Sequence, residues 1–580
     1  MARTTLFSRL RRMAALCRVA RDEGITEPRA VAAWVHAAMG RRDAMRGVLG
    51  AALVAGGCGS GDDGDAADSS GSTDDTGGPD GPRIAIIGGG TAGLHCAHRL
   101  REVGVDAIVY ESSDRAGGRM YTARGMFPDG QVAELGGEFI DTVHQTLFDL
   151  AEEFEIQIDL REDSFGPDTV LDTWWVAGMA VPETTVIEQF APLAPMFDAL
   201  VEMADNDEDA YAMLDAIPLS QWLDDNVPDA ELHAILANAY RGEYGLELDQ
   251  QSCLNLIYLI GTETDEFHIF GISDERFHTH LGSGTFPEKL AEALEGYVHT
   301  GVALVRARDR EGGGYVLSFD GASGPMEVEA DHLVFALPFT RLRQVDLTAL
   351  TLTDEKRQVI AELGYGTNAK LMGAFTSRHW RTQYDAAGSV TSDLPMQQTW
   401  DTSVGQPGEG GLLTNFLGGD QGVACGEGEA EAWYTSVVVP GIDEVYPGAG
   451  AQYVAGTAVR MHWPSYEHNL GSYACYRPGQ WAFYGLEGAR EGNVHFCGEH
   501  TSLEYQGFME GAAETGALVA AAILMDLGIA MSHRHHRMVE RKLVLPHPAI
   551  DGRLPERPRW AERQRALVRP HPTALAMRSR

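Results

Sequence analysis

Lysine is nearly absent from this 580-residue chain, which has only Lys289, Lys356, Lys370 and Lys542. Basic charge as a whole is short, with 45 Lys and Arg against 84 Asp and Glu and a formal net charge of −39. That balance argues against nucleic acid as a partner, because a polyanion would be repelled rather than gain by releasing counterions. Cysteine is sparse too: there are seven, with no C-x-x-C pair. Setting aside Cys17 and Cys58 near the amino terminus, the odd set Cys96, Cys253, Cys425, Cys475 and Cys497 indicates neither a disulfide framework nor a zinc site, and no metal is expected. What is present is a hydrophobic content of 44% with 67 glycines, the balance of a globular α/β protein with many turns. The length exceeds one ordinary core, so two domains are expected.

The two ends differ from the middle. Residues 531–580 carry twelve basic and four acidic side chains and include "SHRHHR" (Ser532–Arg537), which reads as a basic, disordered tail. Residues 59–82 are Gly, Asp and Ser with almost nothing apolar and read as a disordered acidic linker. Residues 1–58 contain paired arginines, Arg41 and Arg42, then an apolar stretch too brief to span a bilayer, small residues and Cys58. This resembles a bacterial twin-arginine export signal with a lipoprotein cleavage site, although Ala44 and Ala55 stand where a bulky apolar residue and Leu are usual. It implies a periplasmic or cell-surface protein whose membrane contact is a lipid on Cys58; a misassigned amino terminus would instead leave the protein cytoplasmic.

The stretch "RIAIIGGGTAGLHCAHRL" (83–100) carries the first chemical signal. Ile84, Ala85, Ile86 and Ile87 form the short continuous apolar run of a strand buried on both faces of a parallel sheet. Gly88, Gly90 and Gly93 make the G-x-G-x-x-G spacing, and Leu94, Ala97, His98 and Leu100 follow at helical intervals. The turn Gly90, Thr91, Ala92, Gly93 therefore offers backbone amides and the positive end of a helix to a pyrophosphate. A second strand, "DAIVYES" (Asp106–Ser112), places Glu111 where an acid accepts hydrogen bonds from an adenosine ribose. Dinucleotide binding follows from these features together.

The next segment, Ser113–Asp141, contains Arg115, Gly117, Gly118 and Arg119 as R-x-G-G-R, then Glu134, Leu135, Gly136 and Gly137 as a second glycine pair. An NAD dehydrogenase has no need of these. Backbone approaching a flat ring, with arginines near a diphosphate, suits a long cofactor lying extended. Near the other end, "NVHFCGEHTSLEYQGFMEGAAETGALVAAAIL" (Asn493–Leu524) reads as strand, turn and small-residue helix. With these motifs the sequence resembles the flavin-containing amine oxidase family, the monoamine and polyamine oxidase group with its L-amino acid oxidase relatives, from about Arg83 to Gly528.

The resemblance implies an α/β fold in which a Rossmann-like FAD-binding domain (83–160, 281–345 and 461–530) is interleaved with an α+β substrate domain (161–280 and 346–460). Gly136, Gly137 and Glu138 fall on the cofactor side, Glu138 with a structural hydrogen bond as its expected role. Val305 is expected to meet the adenine end by its backbone, while Gly498 and Glu499 make the last turn. The amides of the final helix near Met509 and Glu510 are expected to stabilise negative charge on reduced flavin. Lys370 falls where the family has a lysine bonded through water to flavin N5, followed by an aromatic pair near Phe375 and Trp380. Tyr473 and Phe508 match the two walls of an aromatic cage for an unprotonated amine, and Ser472 replaces a cysteine that binds flavin covalently in some members, so FAD is expected to be non-covalent.

The implied activity is oxidation of an amine to an imine, with O2 as acceptor and H2O2, ammonia and an aldehyde as products. Glu138 and Phe139 follow "ELGG" where L-amino acid oxidases often carry an arginine for the substrate carboxylate, which favours an amine unless Arg241 or Arg276 supplies that charge. The alternatives are an L-amino acid oxidase of the same family, a same-fold oxidase or desaturase acting on C–C bonds, an NAD(P)-dependent dehydrogenase, which would be colourless when purified, and a lipid-tethered flavin-binding protein.

Overall fold

The computed structural model describes residues 81–322, 324–543, 547–554 and 570–578, and the export-signal and linker expectations lie outside these apart from residues 81 and 82. Residues 82–580 form one compact unit. At its centre is a five-stranded sheet in the order Val298–His299, Ala107–Tyr110, Ile84–Ile87, His332–Phe335, Val494–Phe496. All its neighbours pair in parallel, so strands from four distant parts of the chain point their carboxyl ends the same way. The apolar run 84–87 is buried at every position, as a strand covered on both faces must be.

Two helices pack against each other beside this sheet. The first, Thr91–Arg101, leaves the glycine turn directly; the second, Met509–Leu527, follows the last strand's turn. They approach closely because Gly516 has no side chain: a Cβ there would lie 2.3 Å from the Ala92 carbonyl oxygen. The Ala- and Gly-rich composition of the second helix therefore serves burial on nearly all sides.

Four other sheets complete the scaffold, the smallest being the two-stranded pair Thr122–Ala123 and Ala133–Glu134. Val302–Asp309, Tyr315–Gly321 and Met326–Ala330 form an antiparallel meander. A seven-stranded, mostly antiparallel sheet runs Val459–His462, Ala369–Phe375, Gly411–Leu417, Gln398–Asp401, Ala386–Ser392, Val170–Val176, Met179–Val181. A small sheet, Phe139–Ile140, Phe277–Thr279, Ile158–Leu160, stitches the segment after the glycine pair to the return from the helical insertion. Among the described residues no helix is long and apolar enough to cross a membrane.

The described part of the carboxyl-terminal segment departs from its expected disorder. Helices His533–Leu543, Pro548–Asp551 and Pro572–Arg578 lie in it, with Val539, Ala549 and Ala574 buried in the same core as Leu94 and Val519. Lys542 reaches inward to Glu504 at 2.6 Å and Glu514 at 2.7 Å, and the buried His535 Nε2 meets the Ala517 carbonyl at 2.8 Å. Average composition conceals this, because docking needs only a narrow stripe such as His535, Val539 and Lys542 while Arg534, Arg537 and Arg541 stay in water.

Candidate active site

One cavity of about 1610 Å³ runs past the glycine turn, the second glycine pair, the start of the last helix and the helical insertion. At the first end, Gly88 (φ +113°) turns the chain off the strand, its N–H bonded to the Tyr110 carbonyl at 2.8 Å. A Cβ on Gly93 would lie 2.1 Å from the Gly88 carbonyl oxygen, so this residue seats the helix on the turn, whereas a Cβ on Gly90 would meet no protein atom within 4 Å. Gly90, Thr91 and Ala92 line the cavity, no acid sits in the helix's first turn, and no side chain caps its amides. These amides are a ready anion site. Glu111 also lines the cavity, Oε2 accepting the Gly89 N–H at 2.7 Å and Oε1 accepting the Ser113 N–H at 2.8 Å and the Ser112 hydroxyl at 3.4 Å, which fixes the carboxylate and leaves Oε2 a further lone pair.

The R-x-G-G-R turn lies alongside. Arg115 donates to the Gly118 carbonyl at 2.8 Å and stacks over the Tyr121 ring, and Arg119 donates to the Ser472 carbonyl at 2.6 Å and to Glu499 at 2.7 Å. Arg119 thus ties the first motif to the last one, and Gly118, Gly498 and Glu499 all face the cavity. The second glycine pair packs behind: a Cβ on Gly136 would stand 1.7 Å from the Arg119 carbonyl oxygen, and one on Gly137 would stand 2.6 Å from Met509 Cγ.

Lys370, from the buried strand Ala369–Phe375, donates to the Gly136 carbonyl at 2.8 Å and to Glu138 Oε2 at 2.9 Å, and lies over the Trp400 ring. Thr402 donates to the other Glu138 oxygen at 2.6 Å. Burial raises the carboxyl, but the Lys370 charge and the Thr402 hydroxyl outweigh it and hold Glu138 below the usual carboxylate range. Neighbouring Glu134 is pushed up to about 7 by burial and by the Glu138 charge. An ammonium has three N–H donors, and among the described residues two are engaged.

Tyr473 and Phe508 both line the cavity. Tyr473 donates to the Gly242 carbonyl at 3.3 Å; Phe508 stands edge-on to His144 at 5.6 Å between ring centroids. Burial opposes a charge on His144, but the Asp141 carboxylate 3.2 Å away offsets it and lifts the imidazole above its ordinary range. Ser472 is buried, donating to Asn368 Oδ1 at 2.6 Å.

Two expectations are corrected. Val305 is 39% exposed and off the cavity wall, where Val302, Ala303 and Leu304 stand instead; an irregularity between Leu304 and Arg306 breaks the strand register there. Phe375 and Trp380 are core residues packed edge-to-face, with the Trp380 indole N–H given to Asp401 at 3.0 Å, and the aromatic lining near Lys370 comes from Trp400, Phe416 and Phe139. An apolar alternation conveys which residues a strand buries, not which face meets a ligand.

The sequence reading missed Arg161, Glu243 and Glu275. Arg161 stacks on Phe139 and donates to the Glu275 carbonyl at 2.8 Å. Burial pushes Glu243 up to about 7 and Glu275 up to about 8, and both line the cavity. All three belong to the helical insertion or its flanks, where no motif marks them. Of the candidate carboxylate-binding arginines, Arg241 is off the cavity, paired with Glu247 at 2.9 Å, and Arg276 lines it while paired with Glu162.

The model of the flavin containing amine oxidoreductase family matches residues 91–524. The chain belongs to that family. It is 24% identical over 476 residues to the L-amino acid dehydrogenase of Synechocystis, spanning 76% of this chain and 94% of that protein. It is 25% identical over 481 residues to the flavin-dependent L-tryptophan oxidase RebO of Lentzea aerocolonigenes, spanning 76% and 98%. The solved cyclohexylamine oxidase of Brevibacterium oxydans shares the fold, with a TM-score of 0.66 at 21% identity over 77% of this chain and 100% of that one. The chain is accordingly a flavin-dependent amine oxidoreductase with the two-domain α/β architecture of its relatives.

Proposed function

We propose that this protein is an FAD-dependent oxidase that converts an amine lacking a carboxylate to an imine. The observation carrying the reading is convergence: the open cradle at Gly90, the Lys370 ammonium, and the Tyr473 and Phe508 rings all border one cavity. The side-chain-free surface at Gly90 and the uncapped amides of Thr91 and Ala92 fit a pyrophosphate, Glu111 suits the adenosine ribose, and Gly136, Gly137 and Met509 suit the far end of the cofactor. Ser472 offers no thiol for a covalent link, which supports reversible binding.

Bound there, FAD would supply a two-electron acceptor for the C–H bond next to nitrogen, with O2 as the final acceptor giving H2O2, and water would hydrolyse the imine to an aldehyde and ammonia. Tyr473 and Phe508 offer ring surfaces that exclude water and orient a neutral amine, whose lone pair supports the charge developing at carbon. The third N–H of Lys370 would be available to a water beside the bound ring. The amide end of the helix Met509–Leu527 favours negative charge nearby.

Asp141, Glu243 and Glu275 on the wall favour the arrival of a cationic amine, which must give up its proton before its C–H bond breaks, over a carboxylated substrate. Arg161 is the observation favouring the second reading, an L-amino acid oxidase. Anaerobic mixing of the yellow holoenzyme with alkylamines, diamines and L-amino acids tests both. Bleaching by amines and not amino acids is expected; bleaching by amino acids alone selects the second reading, and a chain that takes up no flavin rejects both. The export reading of residues 1–58 remains part of the proposal: Cys58→Ala is expected to move the protein from the membrane fraction to the soluble one.

A further inference from the structure

Three side chains from three separate segments meet on the central sheet away from the cavity. His332 opens the strand His332–Phe335, whose far end leads through Ala336 to the cavity wall. His495 lies in the edge strand Val494–Phe496, and Asp526 is in the last turn of the helix Met509–Leu527. One nitrogen from each imidazole and one carboxylate oxygen all lie within 4.8 Å of one another. His332 is 5% exposed and His495 0%, while Asp526 is open to solvent.

The spacing of the two imidazoles is informative. His332 Nδ1 and His495 Nε2 are 3.4 Å apart, beyond the ordinary length of a hydrogen bond donated by N–H. Zinc–nitrogen bonds of about 2.0–2.1 Å at a tetrahedral angle hold two ligand nitrogens about 3.3–3.4 Å apart. The carboxylate is already oriented: Arg490 donates to Asp526 Oδ2 at 2.5 Å, and Oδ1 has no partner among the described residues. Arg490 is itself held by the Gly492 carbonyl at 3.0 Å and the Ile550 carbonyl at 3.1 Å, an arrangement suited to steering a metal ligand from behind. His495 Nδ1 is buried without a partner among the described residues, and His495 Nε2 has only the long contact to His332, so this buried imidazole lacks the set of hydrogen bonds that a core histidine ordinarily makes.

We propose that His332, His495 and Asp526 bind a zinc-type divalent transition-metal ion, with water as the fourth ligand, at a site separate from the flavin cavity. Two imidazoles and one carboxylate suit Zn2+, whereas Mg2+ and Ca2+ require mostly oxygen donors. The ion joins the central strand, the edge strand and the last helix, so its effect is on stability and not on turnover.

The test uses the full-length flavin-loaded protein, stripped with a chelator, supplied with ZnCl2 and dialysed. Elemental analysis gives zinc per chain, and thermal unfolding is followed with and without the metal. One retained equivalent and a raised Tm are expected, with Asp526→Asn and His332→Gln each losing the equivalent and the shift. The flavin absorbance of each variant verifies its fold, and Asp526→Asn changes an exposed position. A His533→Ala, His536→Ala double variant, at two exposed positions of the tail helix, should keep the zinc. No retained zinc, equal retention in Asp526→Asn and His332→Gln, loss only in the tail variant, or equal stabilisation by Mg2+ each overturns the proposal.

Discussion

Lys370 is where a single residue decides most. Its ammonium holds Glu138 ionised in a buried place, and its remaining donor is free for water. Replacing it with methionine strips that carboxylate of its cation, and breaking one half of a buried pair costs about 3–5 kcal/mol. Lys370→Met should therefore lower the Tm, while Lys370→Met with Glu138→Gln should recover most of the loss. Turnover in the double variant should stay depressed, on the order of 10²-fold, which is the scale of a positioned proton-handling group. Stopped-flow separation of flavin reduction from reoxidation measures which half-reaction suffers; wild-type rates in both would remove Lys370 from the chemistry. The glycine turn permits a second residue-level test, because its glycines differ in what surrounds them. Gly93→Ala drives a Cβ into the Gly88 carbonyl and should destabilise the fold. Gly90→Ala meets no protein atom and should fold normally yet purify with little flavin, as flavin absorbance per chain will show.

The elements legible in the sequence are those whose local pattern is also their global role. The strand at Ile84, the glycine turn and the helix from Thr91 are read correctly because a strand buried on both faces leaves its signature in consecutive residues. The last helix is legible for a related reason, its small residues marking close packing. The tail helix His533–Leu543 is not, since its docking depends on partners far away in sequence, Glu504 and Glu514. Glu514 is pushed up to about 7 by burial. Its folded value stands above the unfolded one, so the stability it contributes is fullest below its ordinary carboxyl range and fades as pH rises toward 7. Lys542 limits that loss by offering a cation. Lys542→Met should consequently be mild at about pH 5 and grow to about 3–5 kcal/mol by about pH 8, read as the gap in unfolding free energy from wild type. A gap independent of pH would mean that the helix docks by its apolar stripe alone.

At the scale of the molecule, interleaving lets segments with no sequence relation share a cavity wall. Asp141 follows the second glycine pair, Glu243 ends the helix Ala230–Tyr244, and Glu275 lies on the return strand's approach with φ +43°. No motif could announce such a cluster, because each acid is one among 84 until the chain folds. Its consequence is a wall whose charge depends on pH: burial pushes Glu243 up to about 7 and Glu275 up to about 8, so both are largely protonated in mild acid and ionise as pH rises through that window. A cationic amine should bind more tightly over the same window, with KM falling between about pH 6 and about pH 8.5 until the substrate loses its own proton. Glu243→Gln should flatten that fall. It should also raise stability, because a carboxyl whose folded pKa is elevated loses its contribution as pH climbs, and an amide has no such loss. The gain in unfolding free energy should be negligible near pH 4 and reach about 2–3 kcal/mol above pH 7. Steady-state KM against pH, paired with denaturant unfolding of the same two proteins, measures both effects, and a variant with unchanged KM profile and raised alkaline stability would mean that Glu243 lines the wall without meeting the substrate.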